Sequence, residues 1–261
     1  MWETIIVTPF TNALLFIYKL IGGNFGVAII LFTILIRLIT HPLMASQIKG
    51  STKMQEMQSS KEWQDIQKKY KGDKEKLAQE QMKYYKEIGY NPMSSCLPSI
   101  IQIPIIFGLY QSIMRALAAS PAQLLILTRT VYSFFHVGDL VPLNSKFLWM
   151  NLGQPERVYM FGYAIPVLAV IVALTTYVQS KVTMPTSTTP GDQGAMMGKM
   201  MALYMPLLLG YFALTFASGL SVYFIAGNLV GIAQYALLGK VNWRALIPGQ
   251  KPATALATRK K

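Results

Sequence analysis

Long apolar stretches alternate with polar ones along this chain, and their lengths set the expected elements. Five of them approach the ~20 residues a helix needs to cross a bilayer. They cover residues 22–43, 97–117, 159–180, 200–217 and 219–239. The last two meet at Ser218-Gly219, which predicts a tight hairpin of antiparallel helices. Residues 1–21 are mixed: Pro9, Asn12 and Lys19 interrupt the apolar run, while Phe10, Leu14, Ile17 and Ile21 recur at helical spacing. That pattern predicts an amphipathic helix lying in the outer membrane interface rather than a span.

Between the first two spans, residues 44–96 are too polar for hydrocarbon. Trp63, Ile66 and Tyr70 share one helical face, and Leu77, Tyr84 and Ile88 share another, with Lys71-Gly72-Asp73 breaking the run between them. The expectation is a helical hairpin projecting from the membrane, laced by pairs such as Asp65 with Lys69 and Lys83 with Glu87. Residues 181–199 are rich in Pro, Thr and Gly and read as a flexible loop. Residues 118–158 carry enough aromatics to lie on the membrane surface, and residues 240–261 form a basic tail.

Composition turns these stretches into a fold class. The chain is 52% hydrophobic and only 13% charged, about half the charged share of a soluble domain. It is expected to be an all-α polytopic membrane protein. The net charge of +13 is concentrated in loops. Residues 44–96 hold ten lysines, whereas residues 118–158 hold only Arg129, Lys146 and Arg157 as basic residues. The positive-inside rule therefore places the hairpin and the C-terminus in the cytoplasm and the N-terminus outside, in keeping with an odd number of spans. The single cysteine, Cys96, excludes an internal disulfide. The N-terminus has no basic leader, no lipobox cysteine and no cleavage pattern, so the first apolar stretches are expected to serve for targeting.

No hydrolase, metalloprotease or nucleotide-binding motif is present, and none of the five stretches contains a carboxylate. His41 and His136 fall on opposite sides of the membrane in this topology. The expectation is no catalytic residue, no metal and no cofactor. What remains is a set of polar side chains inside spans: Thr33 and Arg37 in the first, Ser99 and Gln102 in the second, Thr175, Thr176 and Gln179 in the third, Asn228 and Gln234 in the fifth. Each hydroxyl or amide has an ordinary reading as a group bonded to its own helix, or as glue between two helices worth ~1 kcal/mol.

Arg37 asks for more. A charge in hydrocarbon costs roughly 2.5 to 17 kcal/mol, and Arg37 sits ~9 Å of helix before Leu43, within the cytoplasmic half of the bilayer. Hydration of the guanidinium implies a wet cavity open toward the cytoplasm. A side chain that snorkels to carbonyls or lipid phosphates is the other reading. Pro98, Pro104, Pro166 and Pro206 favour bent helices around such a cavity. The Gly227-Asn-Leu-Val-Gly231 pattern offers a place of close approach on the fifth helix.

The segments IRLITHP, WQDIQKKYKGDKEKLAQEQMKYYKEIGYNPMSSCLPSIIQIPIIFGLY, FLWMNLGQPE and SGLSVYFIAGNLVGIAQY together resemble the YidC/Oxa/Alb3 family of membrane protein insertases over nearly the whole chain. The block KEIGYNPMSSCLPSIIQIPI carries the most specific part of the likeness. The resemblance implies five transmembrane helices around a hydrophilic groove, with a cytoplasmic helical hairpin and an N-terminal interfacial helix, in the bacterial plasma (inner) membrane. It implies a groove positive charge at Arg37 that receives acidic segments of substrates. Thr33, Gln102, Gln179, Tyr223, Phe224 and Asn228 would line that groove. Implied partners are nascent membrane proteins, the lipid bilayer, the Sec translocon and the ribosome, and no DNA. The chain departs from the family pattern at Ser95, where Gly is common, and at Phe224, where relatives carry Tyr or Trp. A small-solute transporter or channel using the same polar positions, and an assembly scaffold beside the translocon, are the alternatives.

Overall fold

A computed structural model describes residues 1–58, 60–70, 72–90, 93–118, 120–133, 143–160, 163–183, 193–241 and 243–246. The chain is mostly helical. A short π-helical turn, Glu3–Val7, leads into α1 (Thr8–Leu20) and α2 (Phe25–Ile39). Then come α3 (His41–Gln58), α4 (Lys61–Lys69), α5 (Lys74–Glu87), α6 (Met93–Leu117) and α7 (Pro121–Thr130). Two small antiparallel hairpins follow, β1 (Lys146–Phe147) with β2 (Met150–Asn151), and β3 (Val158–Met160) with β4 (Tyr163–Ile165). The chain continues as α8 (Val167–Thr183), α9 (Gln193–Thr215) and α10 (Ser218–Leu237). His136, the loop 184–192, the tail from 247 and the side chains of Ser95, Cys96, Pro98 and Ser99 lie outside the described residues.

The helices belong to two compact units. The first holds residues 1–39, 101–176 and 206–231. Its interior is built from Leu14 and Leu15 of α1, Phe25, Ile29 and Phe32 of α2, Leu109 and Ile113 of α6, Leu127 of α7, Val172 of α8 and Leu220 of α10. The opposite faces of the same helices are apolar too: Leu31, Leu35 and Leu38 on α2, Ile103 and Phe107 on α6, Val170 and Leu174 on α8, Leu207 and Tyr211 on α9 are all exposed. Hydrocarbon tails are as apolar as leucine, so burial alone does not choose between these faces and close packing does. Gly210 shows how: a Cβ there would lie 3.3 Å from the Ala173 Cβ and 3.5 Å from the Ala169 carbonyl oxygen.

The second unit contains α3, α4 and α5. Ser60 caps α4 by accepting from the Trp63 amide at 3.3 Å, and Asp73 caps α5 by accepting from the Lys76 amide at 3.1 Å. These caps satisfy amide groups that each helix start leaves without partners. Trp63 is buried and stacks on Tyr85 at 5.5 Å between ring centroids, with Tyr84 at 6.0 Å. Among the described residues the close ion pairs of this unit are Lys83 with Glu80 and Lys76 with Asp73, both three residues apart, and Glu87 also acts electrostatically on Lys83.

Several elements differ from the reading of the sequence. Among the described residues, one helix, Ser218–Leu237, is long and apolar enough to cross a membrane, and up to three spans result if two interrupted pairs each count as one. Val167–Thr183 and Ala202–Thr215 are shorter apolar helices. At ~1.5 Å per residue, the 17 residues of α8 reach about 25 Å, short of a ~30 Å hydrocarbon core. The stretch expected to be helical from 159 begins as the β3–β4 hairpin and becomes helical only at Val167, just past Pro166, where a proline costs no helical hydrogen bond. The helix ending expected near His41-Pro42 occurs at Ile39, and Pro42 lies instead in the first turn of α3, the helical position that tolerates it. Helices α6 and α9 run through Pro104 and Pro206 without interruption. The segment after α6 opens with a helix of its own, α7, which leaves α6 at 112°.

Candidate functional site

In the first unit, four helices bring polar side chains together. Thr33 and Arg37 are one turn apart on α2. Thr33 is fully buried, and its hydroxyl donates to the Ile29 carbonyl at 2.7 Å, so it serves its own helix. On α10, Tyr223 and Gly227 are also one turn apart and share a face. The Arg37 guanidinium lies against that face: a Cβ on Gly227 would sit 3.2 Å from Nη2 and 3.8 Å from Nε. Arg37 and Tyr223 interact electrostatically. From α6, the Gln102 side-chain amide donates to the Tyr223 hydroxyl. Arginine, phenol and carboxamide therefore form one connected polar patch across α2, α10 and α6.

Asn228 stands beside this patch with a different task. It is buried, and its Nδ2 donates to the Thr176 hydroxyl at 2.9 Å and the Thr175 hydroxyl at 3.1 Å, joining α10 to α8. Thr175 in turn donates to the Ile171 carbonyl at 2.8 Å. This is glue of the ordinary kind. Phe224 is buried with its ring centroid 5.7 Å from that of Tyr223, and packs without offering a hydroxyl. Gln179 follows Thr175 by one turn on α8 but belongs to the second unit, where its carbonyl accepts from Thr183 at 2.7 Å. In that unit His41 Nδ1 and Gln234 Nε2 are 3.3 Å apart.

The sequence pattern pointed to Gly227 as a place where another helix approaches. What approaches is the head of Arg37. Glu156 closes the segment FLWMNLGQPE and stands in no periodic pattern that would mark it as functional. Its carboxylate accepts from the Trp149 indole at 2.5 Å and from the Leu168 amide at 2.5 Å, capping the start of α8. Nearby, the Gln154 carbonyl accepts from the Ser218 amide at 2.8 Å and its hydroxyl at 2.6 Å, and the Leu152 carbonyl accepts from the Gly219 amide at 3.0 Å. The loop between β2 and β3 thus supplies acceptors for amides in the buried first turn of α10. On α6, Arg115 Nη2 meets Glu3 Oε1 at 2.7 Å, and the Gln111 side-chain Oε1 accepts from the Trp2 indole at 2.8 Å. No hydropathy signal marks such acceptors; a carboxylate in an otherwise weakly charged aromatic segment was the only cue.

Residues 16–244 match the family described as the 60Kd inner membrane protein. The membrane protein insertase MisCA of Bacillus subtilis strain 168 is 34% identical over 241 residues, which is 91% of this chain and 78% of that one. The membrane protein insertase YidC 2 of Bacillus anthracis is 32% identical over 91% of this chain and 80% of its own. A crystal structure of an active YidC insertase with its first transmembrane domain resolved matches at a TM-score of 0.54 and 25% identity. That match covers 91% of this chain and 46% of the solved one, so the chain spans about half of that protein's length. These comparisons give no support to a transporter. A mostly helical chain with apolar outer faces, matched over nearly its whole length, belongs to the 60Kd inner membrane protein family, the family of the YidC-type insertases.

Proposed function

We propose that this protein is a membrane protein insertase whose five apolar helical stretches surround a hydrophilic groove open toward the cytoplasm. Arg37 is its docking charge for acidic, polar segments of nascent membrane proteins. The placement of the Arg37 head beside Tyr223 and Gly227, on helices whose apolar stretches contain no carboxylate, carries this reading. A polar groove shortens the hydrocarbon that a substrate tail must traverse. A substrate carboxylate 4 Å from the guanidinium gains about 4 kcal/mol at an effective dielectric of ~20, and less where water enters. A gain of that size holds the tail transiently and lets it leave.

Thr33, Gln102, Gln179, Tyr223, Phe224 and Asn228 are the groove residues of this proposal. Gln102 and Tyr223 are direct neighbours in the polar patch, while Thr33 bonds within α2 and Asn228 ties α10 to α8. The concentration of lysines in residues 44–96 supports a cytoplasmic hairpin and C-terminus, with the N-terminus outside and the N-terminal helix in the outer interface of the bacterial plasma membrane. The Sec translocon and the ribosome are partners that the hairpin and basic tail would meet.

The test depletes the native insertase and measures insertion of a single-span substrate with an acidic tail. Arg37→Ala is expected to lower insertion about tenfold, and Arg37→Lys to retain most of it. Wild-type insertion by Arg37→Ala together with failure of Arg37→Lys would sink the docking charge.

A further inference from the structure

We propose that Gly227 is a positioning residue for the docking charge: its bare backbone is the seat on which the Arg37 guanidinium rests. The inference builds on the groove reading above. The three heavy atoms nearest to a Cβ placed at Gly227 are Nη2, Nε and Cζ of Arg37, at 3.2, 3.8 and 3.9 Å. The first distance is tighter than ordinary van der Waals contact, and the other two are ordinary. The nearest neighbours of a side chain at this position are therefore three atoms of one group, the guanidinium.

Glycine in a helix interior is a poor helix former, because it loses more backbone freedom than alanine and buries nothing. Gly227 lies inside α10 (Ser218–Leu237) with no left-handed backbone angle to excuse it. Its return is the flat approach of a planar cation to the helix surface. Tyr223, one turn earlier on the same face, supplies the polar wall of the seat, and the Gln102 amide fixes the phenol by donating to its hydroxyl. The seat thus has a floor, Gly227, and a wall, Tyr223, both carried on α10, while the charge arrives from α2. A methyl group at 227 leaves the charge in the protein but makes the guanidinium give way by a few tenths of an ångström.

This separates position from charge and from packing. Four proteins are compared in membranes depleted of native insertase: wild type, Arg37→Ala, Gly227→Ala and Gly210→Ala. Each is given two single-span substrates that differ only in an acidic or a neutral tail. Gly227→Ala is expected to accumulate at the wild-type level, to insert the acidic tail about tenfold less well and to handle the neutral tail within twofold of wild type. Gly210→Ala, which crowds Ala173 and Ala169 between two helices, is expected to impair both substrates alike.

Outcomes separate cleanly. If Arg37→Ala itself fails to distinguish the two tails, the groove reading falls. If Arg37→Ala distinguishes them but Gly227→Ala does not, the docking charge stands and the seat is overturned. Poor accumulation of Gly227→Ala also overturns it, by making Gly227 a packing glycine like Gly210.

Discussion

The first unit has two polar regions, and they are built on opposite plans. At one end Glu156, Arg115 and the first turn of α10 each meet a fixed partner: the Trp149 indole and Leu168 amide, the Glu3 carboxylate, and the carbonyls of Leu152 and Gln154. Further along the same helices, Arg37 meets a bare glycine and a phenol. The first plan locks loops onto helix ends, because each donor has a dedicated acceptor and loses energy if moved. The second holds a cation by shape. Arg115 has its carboxylate partner in Glu3, whereas the docking role proposed for Arg37 needs a carboxylate brought by a substrate. In the proposed reading one end holds the fold and the other receives substrate.

The largest expected effect tests the holding end. Glu156→Ala removes the acceptor of two donors around a carboxylate only 9% exposed, and leaves the buried Leu168 amide unsatisfied at a cost of about 1–3 kcal/mol. Thermal unfolding in detergent should therefore fall by several degrees or more. Arg37→Leu, which replaces a costly charge by an apolar side chain, should leave the unfolding midpoint near wild type or raise it. An Arg37→Leu protein as fragile as Glu156→Ala would break the comparison, since Arg37 would then be a structural clamp as well.

A smaller effect belongs to the Glu3–Arg115 pair. Glu3 is well exposed, so solvent screens the pair and breaking it by Glu3→Lys should cost about 1 kcal/mol or less. The visible result should be faster proteolysis of residues 1–12, with protection recovered in the swapped Glu3→Arg/Arg115→Glu protein. Equal proteolysis of the single and swapped variants would mean that the N-terminal segment is held by Trp2–Gln111 and its apolar contacts instead.

The smallest effect lies in the second unit, on α5. The hydrogen bond that Lys83 donates to the Glu80 carboxylate holds the lysine proton above the ordinary lysine range. A raised folded value means that the stabilisation is complete below the unfolded lysine value of ~10.4 and is lost as pH rises through the folded value. This solvent-facing pair should therefore show no change in hairpin melting from neutral pH to mildly basic pH. A slight loss is expected only in stronger base, and Glu80→Gln should abolish it.

Much of the helical plan was legible because apolar periodicity and loop charge are local properties of the chain. The polar patch was legible residue by residue, since Arg37, Gln102 and Tyr223 each stand out in an apolar run. The partition of tasks among those residues was not. Thr33 and Asn228 look equivalent to Gln102 in sequence, yet Thr33 bonds its own helix and Asn228 ties α10 to α8. Glu156 was passed over because a carboxylate in a loop carries no periodic signal, and its value depends on an indole and a backbone amide that folding brings to it. The late start of α8 was hidden because an apolar run reads the same as strand or helix until Pro166 and the Glu156 cap fix where helical bonding begins.

The sequence by itself determined a helical membrane chain, its lysine-rich hairpin, its family and the one cation that demands an explanation. Those follow from composition, spacing and motif, which survive any arrangement of the helices. Only the tertiary structure decided that the cation rests on Gly227. A glycine in GNLVG announces room for a neighbour but not its identity. The identity is set where α2 and α10 pack, because only there does the missing side chain of one helix become the space for the charge of another.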